Sequence, residues 1–457
     1  MSIYKACDIR GRFGLDLQVE HAARLGAALV AMNRPTKILV GGDGRVSTPV
    51  LKAALIDSLL HHGCQVFDLG LAPTPLFYFA RRRLGIETGV MVTASHNPAG
   101  DNGFKVTLGP LPITPEEMLK LAELMEYTDI PPHLLTTTPP ERKGELITLD
   151  LIPDYLSFLV EHTPNLTGLK VVVDCANGMA GLVARQVWEK TRAEVTFLLE
   201  RVDGRFPIHP PNPAEVQNLS LLQQAVVQAG ADLGVAYDGD ADRVAFVDEK
   251  GQVVVNDKVI VLFVRHALHD GPQTVVFDQK CSRIVPDTIR QLGGTPVMEL
   301  SGHTFIKRAF MTLGAAYAGE LSGHHFLRPL EGDDGFGASL VFASIVKESR
   351  KSLSGLAEGI PSYPITPDIR LPMDPAAIPA LLASLEERLG QEARIVKTDG
   401  LRLEFADGWG LVRPSVTEPV VTMRFEGVDQ AALRRMLSAV ENASPSLLGK
   451  LTAIVPG

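Results

Sequence analysis

The stretch Leu169-Lys-Val-Val-Val-Asp174, then Cys175-Ala-Asn-Gly-Met-Ala-Gly181, a helical run to Lys190 and Ala193-Glu-Val-Thr-Phe197 reads as strand, turn, helix, strand. Short β-branched runs suit buried strands, and a parallel pair needs a crossover, so this order predicts a βαβ unit. The same grammar occurs in Thr36-Lys-Ile-Leu-Val40, the turn Gly41-Gly-Asp-Gly-Arg45, a helix over 48–62 and Cys64-Gln-Val-Phe-Asp68. It occurs again in Gln273-Thr-Val-Val-Phe-Asp278, Gln279-Lys-Cys-Ser282, a helix to Leu292 and Gly294-Thr-Pro-Val-Met298. Three related α/β domains with mixed or parallel sheets are expected. One large doubly wound sheet would use the same grammar and is the alternative.

After Pro364 the pattern changes to a helix over 378–389, short strands within 393–397, 401–405, 410–412 and 420–425, and a helix over 429–440. That order predicts a small C-terminal α+β domain. The expected divisions are 1–147, 148–253, 254–364 and 365–457, and a chain of 457 residues is long enough for several domains around a shared cleft. The Pro-rich run 361–367 is a candidate hinge.

Apolar residues make up 45% and charged residues 21% of the chain, the balance of an ordinary globular protein. A formal charge of −9 argues against nucleic acid as the main partner, because counterion release needs clustered Lys and Arg. The four cysteines, Cys7, Cys64, Cys175 and Cys281, show no paired spacing, which speaks against a zinc site or a disulfide framework. No apolar run reaches the roughly 18 residues of a membrane span, and the N-terminal segment lacks an apolar signal region. A cytoplasmic protein without a membrane partner is the expectation.

Gly89-Val-Met-Val-Thr-Ala-Ser-His-Asn-Pro98 ends an apolar run in a polar turn and displays Ser95 at a strand end, where reacting side chains sit in α/β folds. Asp238-Gly-Asp240-Ala-Asp242-Arg243 follows the apolar run Leu233-Gly-Val-Ala-Tyr237. Alternate carboxylates in a tight turn can converge on one hard cation, Mg²⁺ above all. A calcium loop fits poorly: Arg243 stands where that loop demands glycine, and the flanks read as strands. A guanidinium beside three carboxylates suits an anionic substrate next to a metal. His96 is adjacent to Ser95, which does not by itself make a triad. If Ser95 carries a phosphoryl group, the site needs a cation and a proton handler, for which Lys105, His303 and His324 are candidates. Arg413-Pro-Ser415-Val-Thr417 offers hydroxyls and a guanidinium fork to a phosphate, and Glu320 with Ser322, in Gly319 to His324, suits vicinal hydroxyls.

These runs occur in the order Asp8-Ile-Arg10-Gly11, Thr93 to Pro98, Asn102-Gly-Phe-Lys105, Asp238 to Arg243, Lys280-Cys-Ser-Arg283, Ser301-Gly-His303, Gly319 to His324 and Arg413 to Pro419. The chain thereby resembles the α-D-phosphohexomutase superfamily, in its phosphomannomutase/phosphoglucomutase branch, over essentially its whole length. The resemblance implies four domains around a central cleft. Ser95 would be the phosphoserine and, with Asp238, Asp240 and Asp242, would hold Mg²⁺. Glu320 and Ser322 would read sugar hydroxyls, while Arg413, Ser415 and Thr417 would hold the distal phosphate, with Lys280 and Arg283 also binding substrate. Arg10, Lys105 and Arg243 would surround the transferred group, with His303 and His324 handling protons and His96 beside the serine. The implied reaction interconverts hexose 1-phosphate and hexose 6-phosphate through a hexose 1,6-bisphosphate, which also serves as activator. A monomer or weak dimer is expected.

Leu321 stands where phosphoglucosamine mutases typically show Gln, which favours a neutral hexose. Three positions depart from the usual pattern: Cys7 where Tyr is common, Val416 where Asn or Gly is common, and Ser301 for Thr. Loss of a side-chain donor at Val416 predicts a weaker phosphate grip. A phosphatase using Ser95 as nucleophile, phosphoglucosamine mutation, and a non-catalytic sugar-phosphate sensor are the competing readings.

Overall fold

The computed structural model describes residues 3–127, 143–161, 164–367, 369–397, 399–415 and 420–454. Strands and helices assemble into four sheets rather than one, so the single doubly wound sheet is not the architecture. The three βαβ units form as expected. Lys37–Gly42, Thr48–His61 and Gln65–Leu71 make the first, Lys170–Asp174, Ala184–Lys190 and Glu194–Leu198 the second, and Thr274–Asp278, Ile284–Gln291 and Thr295–Glu299 the third. In the first two the strands pair in parallel, and the apolar faces of the strands are buried.

The first sheet is mixed, in the order Ile9–Arg12, Asp101–Thr107, Gly89–Val92, Lys37–Gly42, Gln65–Leu71, Glu145–Thr148. Three of its strands, Ile9–Arg12, Asp101–Thr107 and the edge strand Glu145–Thr148, are additional to those expected from the sequence. Ile9–Arg12 and Asp101–Thr107 pair antiparallel, and the second also pairs antiparallel with Gly89–Val92, so the Ser95 turn closes a hairpin. Val90 and Val92 pack with Leu25, Leu29, Leu55 and Phe104 in the core beneath this sheet. The edge strand ends at Thr148, one residue beyond the expected division at 147.

The second sheet runs Val244–Asp248, Leu233–Tyr237, Lys170–Asp174, Glu194–Leu198. Its first two strands are an antiparallel hairpin whose turn holds the carboxylates. The third sheet is Thr295–Glu299, Thr274–Asp278, Tyr317–Gly319, His325–Leu327, Gly332–Asp333. The helix Gly335–Ser349 starts on Asp334, whose carboxylate accepts from Gly337 N, a side-chain cap for the helix's exposed N–H groups.

By internal contact the chain divides into two compact units, 1–277 with 288–359, and 278–287 with 360–457. The second unit is built on an all-antiparallel sheet, Ile369–Pro372, Val420–Gly427, Gly408–Pro414, Leu401–Phe405, Arg394–Lys397, covered by the helices Ile378–Leu389 and Gln430–Ala443. The strand Ile369–Pro372 was not foreseen; it carries a proline, which an edge strand tolerates. Segment 278–287 belongs here because Arg424 donates to Lys280 O at 2.6 Å, Arg283 N donates to Glu426 at 3.0 Å, and Arg402 bonds Gln279 O. In the candidate hinge, Thr366 N donates to Phe425 O and Gly427 N to Pro364 O, which ties those residues to the second unit's own sheet.

Candidate active site

Ser95 sits on the turn after Gly89–Val92 with φ at +51°, a left-handed conformation that a serine adopts only under constraint. Its N–H donates to Thr93 Oγ1 at 2.8 Å, and its Oγ donates to Asp238 Oδ2 at 2.8 Å. The contact needs a bare backbone opposite: a Cβ on Gly239 would lie 2.4 Å from Ser95 O. His96 Nδ1 lies 3.3 Å from Ser95 Oγ, and burial, then Arg243 and Arg10, hold this ring well below the usual histidine range. His96 is therefore a neutral neighbour of the hydroxyl.

Asp238, Asp240 and Asp242 are fully buried in the hairpin turn, and their oxygens lie within 4.8 Å of one another. Lys105, on the strand Asp101–Thr107, places Nζ 2.7 Å from Asp240 Oδ2 and 2.5 Å from Asp242 Oδ2. Burial opposes its charge, but Asp240 and Asp242 outweigh that and raise its pKa above the ordinary lysine value. Asp240 also accepts from Thr74 Oγ1 at 2.6 Å. The second oxygens, Asp240 Oδ1 and Asp242 Oδ1, are buried and accept no hydrogen bond among the described residues. Buried carboxylate oxygens left bare suit a hard divalent cation, so the residues fit the ion that their spacing implied.

Arg243 follows the turn. Its Nε donates to His324 Nε2 at 2.9 Å and lies 3.9 Å from Asp238 Oδ2. With Nε2 accepting, the proton of neutral His324 belongs on Nδ1, which faces Asp333 Oδ2 at 3.4 Å and Asp242 Oδ1 at 3.8 Å. Burial lowers His324 to about 4. His303 Nε2 meets the same Asp333 oxygen at 2.6 Å, and its ring stacks on Tyr78 at 6.0 Å. Asp242, His303, His324 and Asp333 form a second cluster with metal-ligating atoms within 4.8 Å. Arg10 donates to Asp8 at 2.7 Å, to Asn97 Oδ1 at 3.0 Å and to Ala94 O at 3.2 Å, which puts its guanidinium against the serine turn. Glu320 is buried after the strand Tyr317–Gly319, and Ser322 Oγ is enclosed with no hydrogen-bond partner among the described residues.

The remaining expected residues lie in the second unit. Arg413, at the end of Gly408–Pro414, places Nε 2.8 Å from Asp399. Ser415 N donates to Val420 O, closing the loop that follows. Lys280 and Arg283 belong to the segment docked on this sheet. Thr417 and Val416 lie outside the described residues.

Several residues of the site went unread in the sequence. Asp333 joins His303, His324 and Lys307, whose Nζ is 2.9 Å from Asp333 Oδ1 and 3.1 Å from the Tyr78 ring centroid. Burial lowers Lys307 to about 8. Asp43 and Arg45 support the serine turn from the end of Lys37–Gly42; a carboxylate and a guanidinium two residues apart in a strand-end turn were the available signal.

The chain is similar to known proteins over nearly its whole length. The chain matches the descriptions "Phosphoglucomutase/phosphomannomutase, alpha/beta/alpha domain I" over residues 1–130, domain II over 153–251, domain III over 256–363, and the C-terminal domain over 369–443. It is 37% identical to a phosphomannomutase/phosphoglucomutase of Pseudomonas syringae, covering 95% of this chain and 93% of that one. It is 34% identical to a phosphoglucomutase of Neisseria meningitidis, covering 98% of each. A crystal structure of a phosphoglucomutase/phosphomannomutase family protein from Burkholderia thailandensis superposes with a TM-score of 0.87 at 32% identity, covering 98% of both chains. The chain belongs to the phosphoglucomutase/phosphomannomutase family and, with it, to the phosphohexomutase enzymes.

Proposed function

We propose that this enzyme interconverts the 1-phosphates and 6-phosphates of mannose and glucose, with Ser95 as the phosphoryl carrier. The observation that carries the reading is the hydroxyl of Ser95 held 2.8 Å from Asp238, one of three buried carboxylates of which Lys105 bridges the other two, Asp240 and Asp242. In the proposed reaction, phosphorylated Ser95 gives its phosphoryl group to O6 of a hexose 1-phosphate as that hydroxyl releases its proton. The bisphosphate reverses its orientation, and the O1 phosphoryl group returns to Ser95 Oγ, leaving the 6-phosphate.

Asp238, Asp240 and Asp242 would hold Mg²⁺ together with a phosphoserine oxygen; a bound Mg²⁺ supplies charge neutralisation for the phosphoryl group. Arg10 and Arg243 offer guanidinium groups to the same oxygens. Lys105 is a charged acid between carboxylates, while His324 is neutral at physiological pH, so the acid and base roles divide between them, with Asp333 orienting His324 and His303. Glu320 and Ser322 are the readers of sugar hydroxyls. Arg413, Ser415, Thr417, Lys280 and Arg283 are the holders of the far phosphate.

Use of both sugars is supported by the relatives named for phosphomannomutase and phosphoglucomutase activity together. Leu321 in the hydroxyl-reading loop supports neutral hexoses over glucosamine. A monomer or weak dimer in the cytoplasm, divided near 147, 253 and 364, completes the reading; among the described residues no helix is long and apolar enough to cross a membrane. The test is a parallel coupled assay of mannose 1-phosphate and glucose 1-phosphate with Mg²⁺ and a trace of hexose 1,6-bisphosphate. Conversion of both is expected. Free phosphate without isomer would mark a phosphatase, and no turnover with an unphosphorylated Ser95 would mark a sensor.

A further inference from the structure

Arg45 is fully buried, and every N–H of its guanidinium has a partner. Nε donates to Asp43 Oδ2 at 3.1 Å. Nη1 donates to Pro98 O at 2.6 Å and to Asp101 O at 2.9 Å. Nη2 donates to Ser95 O at 2.8 Å and to Asn97 O at 2.7 Å. Five donors in a rigid fork are what arginine has and lysine lacks. The turn that displays Ser95 thus aims four carbonyls at one cation.

Asp43 completes the arrangement. Besides Arg45 it accepts from Thr93 Oγ1 at 2.7 Å and Thr48 Oγ1 at 2.6 Å, and Thr93 Oγ1 in turn accepts from Ser95 N. Both the N–H and the C=O of Ser95 therefore trace to the Asp43–Arg45 pair. Left-handed φ costs a serine about 1–2 kcal/mol and persists only where the surroundings over-determine it. The pair also abuts the segment leading from the second sheet: the guanidinium lies 5.2 Å from the Phe206 ring centroid, and a Cβ on Gly204 would meet Gly44 O at 2.2 Å.

We propose that Arg45 is the positioning residue of the reacting serine, fixing through four backbone carbonyls the direction in which Ser95 Oγ meets the carboxylates. This rests on Ser95 being the phosphoryl carrier. The loop must hold its course whether or not the hydroxyl carries a dianionic group, and four charge-assisted bonds from one buried guanidinium do that without touching the reacting atoms. A misplacement of about 1 Å at such a group can cost about 100-fold in rate.

The test compares wild type, Arg45→Lys, Arg45→Met and Ser95→Ala as full-length proteins with glucose 1-phosphate, Mg²⁺ and glucose 1,6-bisphosphate. For Arg45→Lys, kcat is expected to fall about 30- to 100-fold with KM within threefold of wild type. Arg45→Met should fall further. Deuterium uptake should rise in residues 95–101 while the strand Lys37–Gly42 keeps its protection, a split that general loosening would not produce. If Arg45→Met does not fold, Arg45→Lys decides. A kcat within threefold of wild type in a folded variant overturns the proposal, as does a loss accompanied by equal deuterium uptake throughout the chain. Should Ser95→Ala keep wild-type turnover, the underlying carrier role fails instead; with Ser95→Ala inactive and the Arg45 variants unimpaired, only the positioning role fails.

Discussion

Lys105 Nζ stands 2.7 Å from Asp240 Oδ2 and so neutralises part of a carboxylate cluster supplied by a different sheet. The lysine comes from the strand Asp101–Thr107 and the aspartate from the turn after Leu233–Tyr237. One ammonium serves two carboxylates, which leaves the third, Asp238, to the serine hydroxyl. Burial, then its two acidic neighbours, push Asp238 well above the ordinary carboxylate range, so it is the member of the cluster most in need of a cation or a proton.

Lys105→Met removes a positive charge next to the carboxylates without opening a large space. Mg²⁺ affinity is expected to rise, by about tenfold, because the ion no longer competes with an ammonium. Turnover is expected to fall by about 100-fold or more, since a charged acid is lost. Calorimetric titration with Mg²⁺ beside steady-state kinetics checks both. A variant that binds Mg²⁺ more weakly would contradict the charge argument.

Gly239→Ala tests the approach of the two loops. The new methyl would stand 2.4 Å from Ser95 O, a contact that backbone must relieve by moving. Overpacking of this kind costs about 1–3 kcal/mol, and the displaced serine should lower kcat by about tenfold or more. Thermal melting and kinetics on the same preparation would show it; an unchanged kcat would mean that the loops are not held in register by this contact.

Asp334 provides a pH-dependent term in stability. It caps Gly335–Ser349 and accepts from Tyr155 OH at 2.6 Å, yet burial raises its pKa from the reference 3.8 to about 6. The folded state then binds the proton more tightly than the unfolded chain. This contribution is complete below about pH 4 and is lost as pH rises through about 6. Asp334→Asn, which keeps a cap and cannot titrate, should abolish it. Relative to that variant, wild type should lose up to about 3 kcal/mol between pH 4 and pH 7. Parallel stability curves for the two proteins would rule the assignment out.

The βαβ units were legible because each is local: a β-branched run, a turn and a helix fall within one stretch of chain. The hairpin around Ser95 was only half legible. Its polar turn was evident, but the partner strand Asp101–Thr107 alternates weakly and carries Gly103, whose missing Cβ leaves room for Ile9 O. The carboxylate turn announced itself through spacing. The contacts that orient it did not: Thr74 meets Asp240 from 166 residues away, and Lys105 reaches the same residue from 135. Asp333 and Lys307 escaped notice for the same reason, since a buried carboxylate in Gly332-Asp333 reads as an ordinary turn until the fold brings two histidines and an ammonium to it. The placement of 278–287 with the C-terminal unit depends on Arg402 and Arg424 bonding its backbone carbonyls, a pairing that leaves no local pattern.

The central claim is that Ser95 passes a phosphoryl group to sugar and takes one back. The most direct measurement is a single-turnover chase: enzyme labelled on Ser95 with ³²P from glucose 1,6-bisphosphate, freed of excess, is mixed with unlabelled glucose 1-phosphate and Mg²⁺. The account predicts label first in the bisphosphate and then at C6 of glucose 6-phosphate, with Ser95→Ala taking up none. Label appearing as inorganic phosphate, or wild-type turnover by Ser95→Ala, would contradict it.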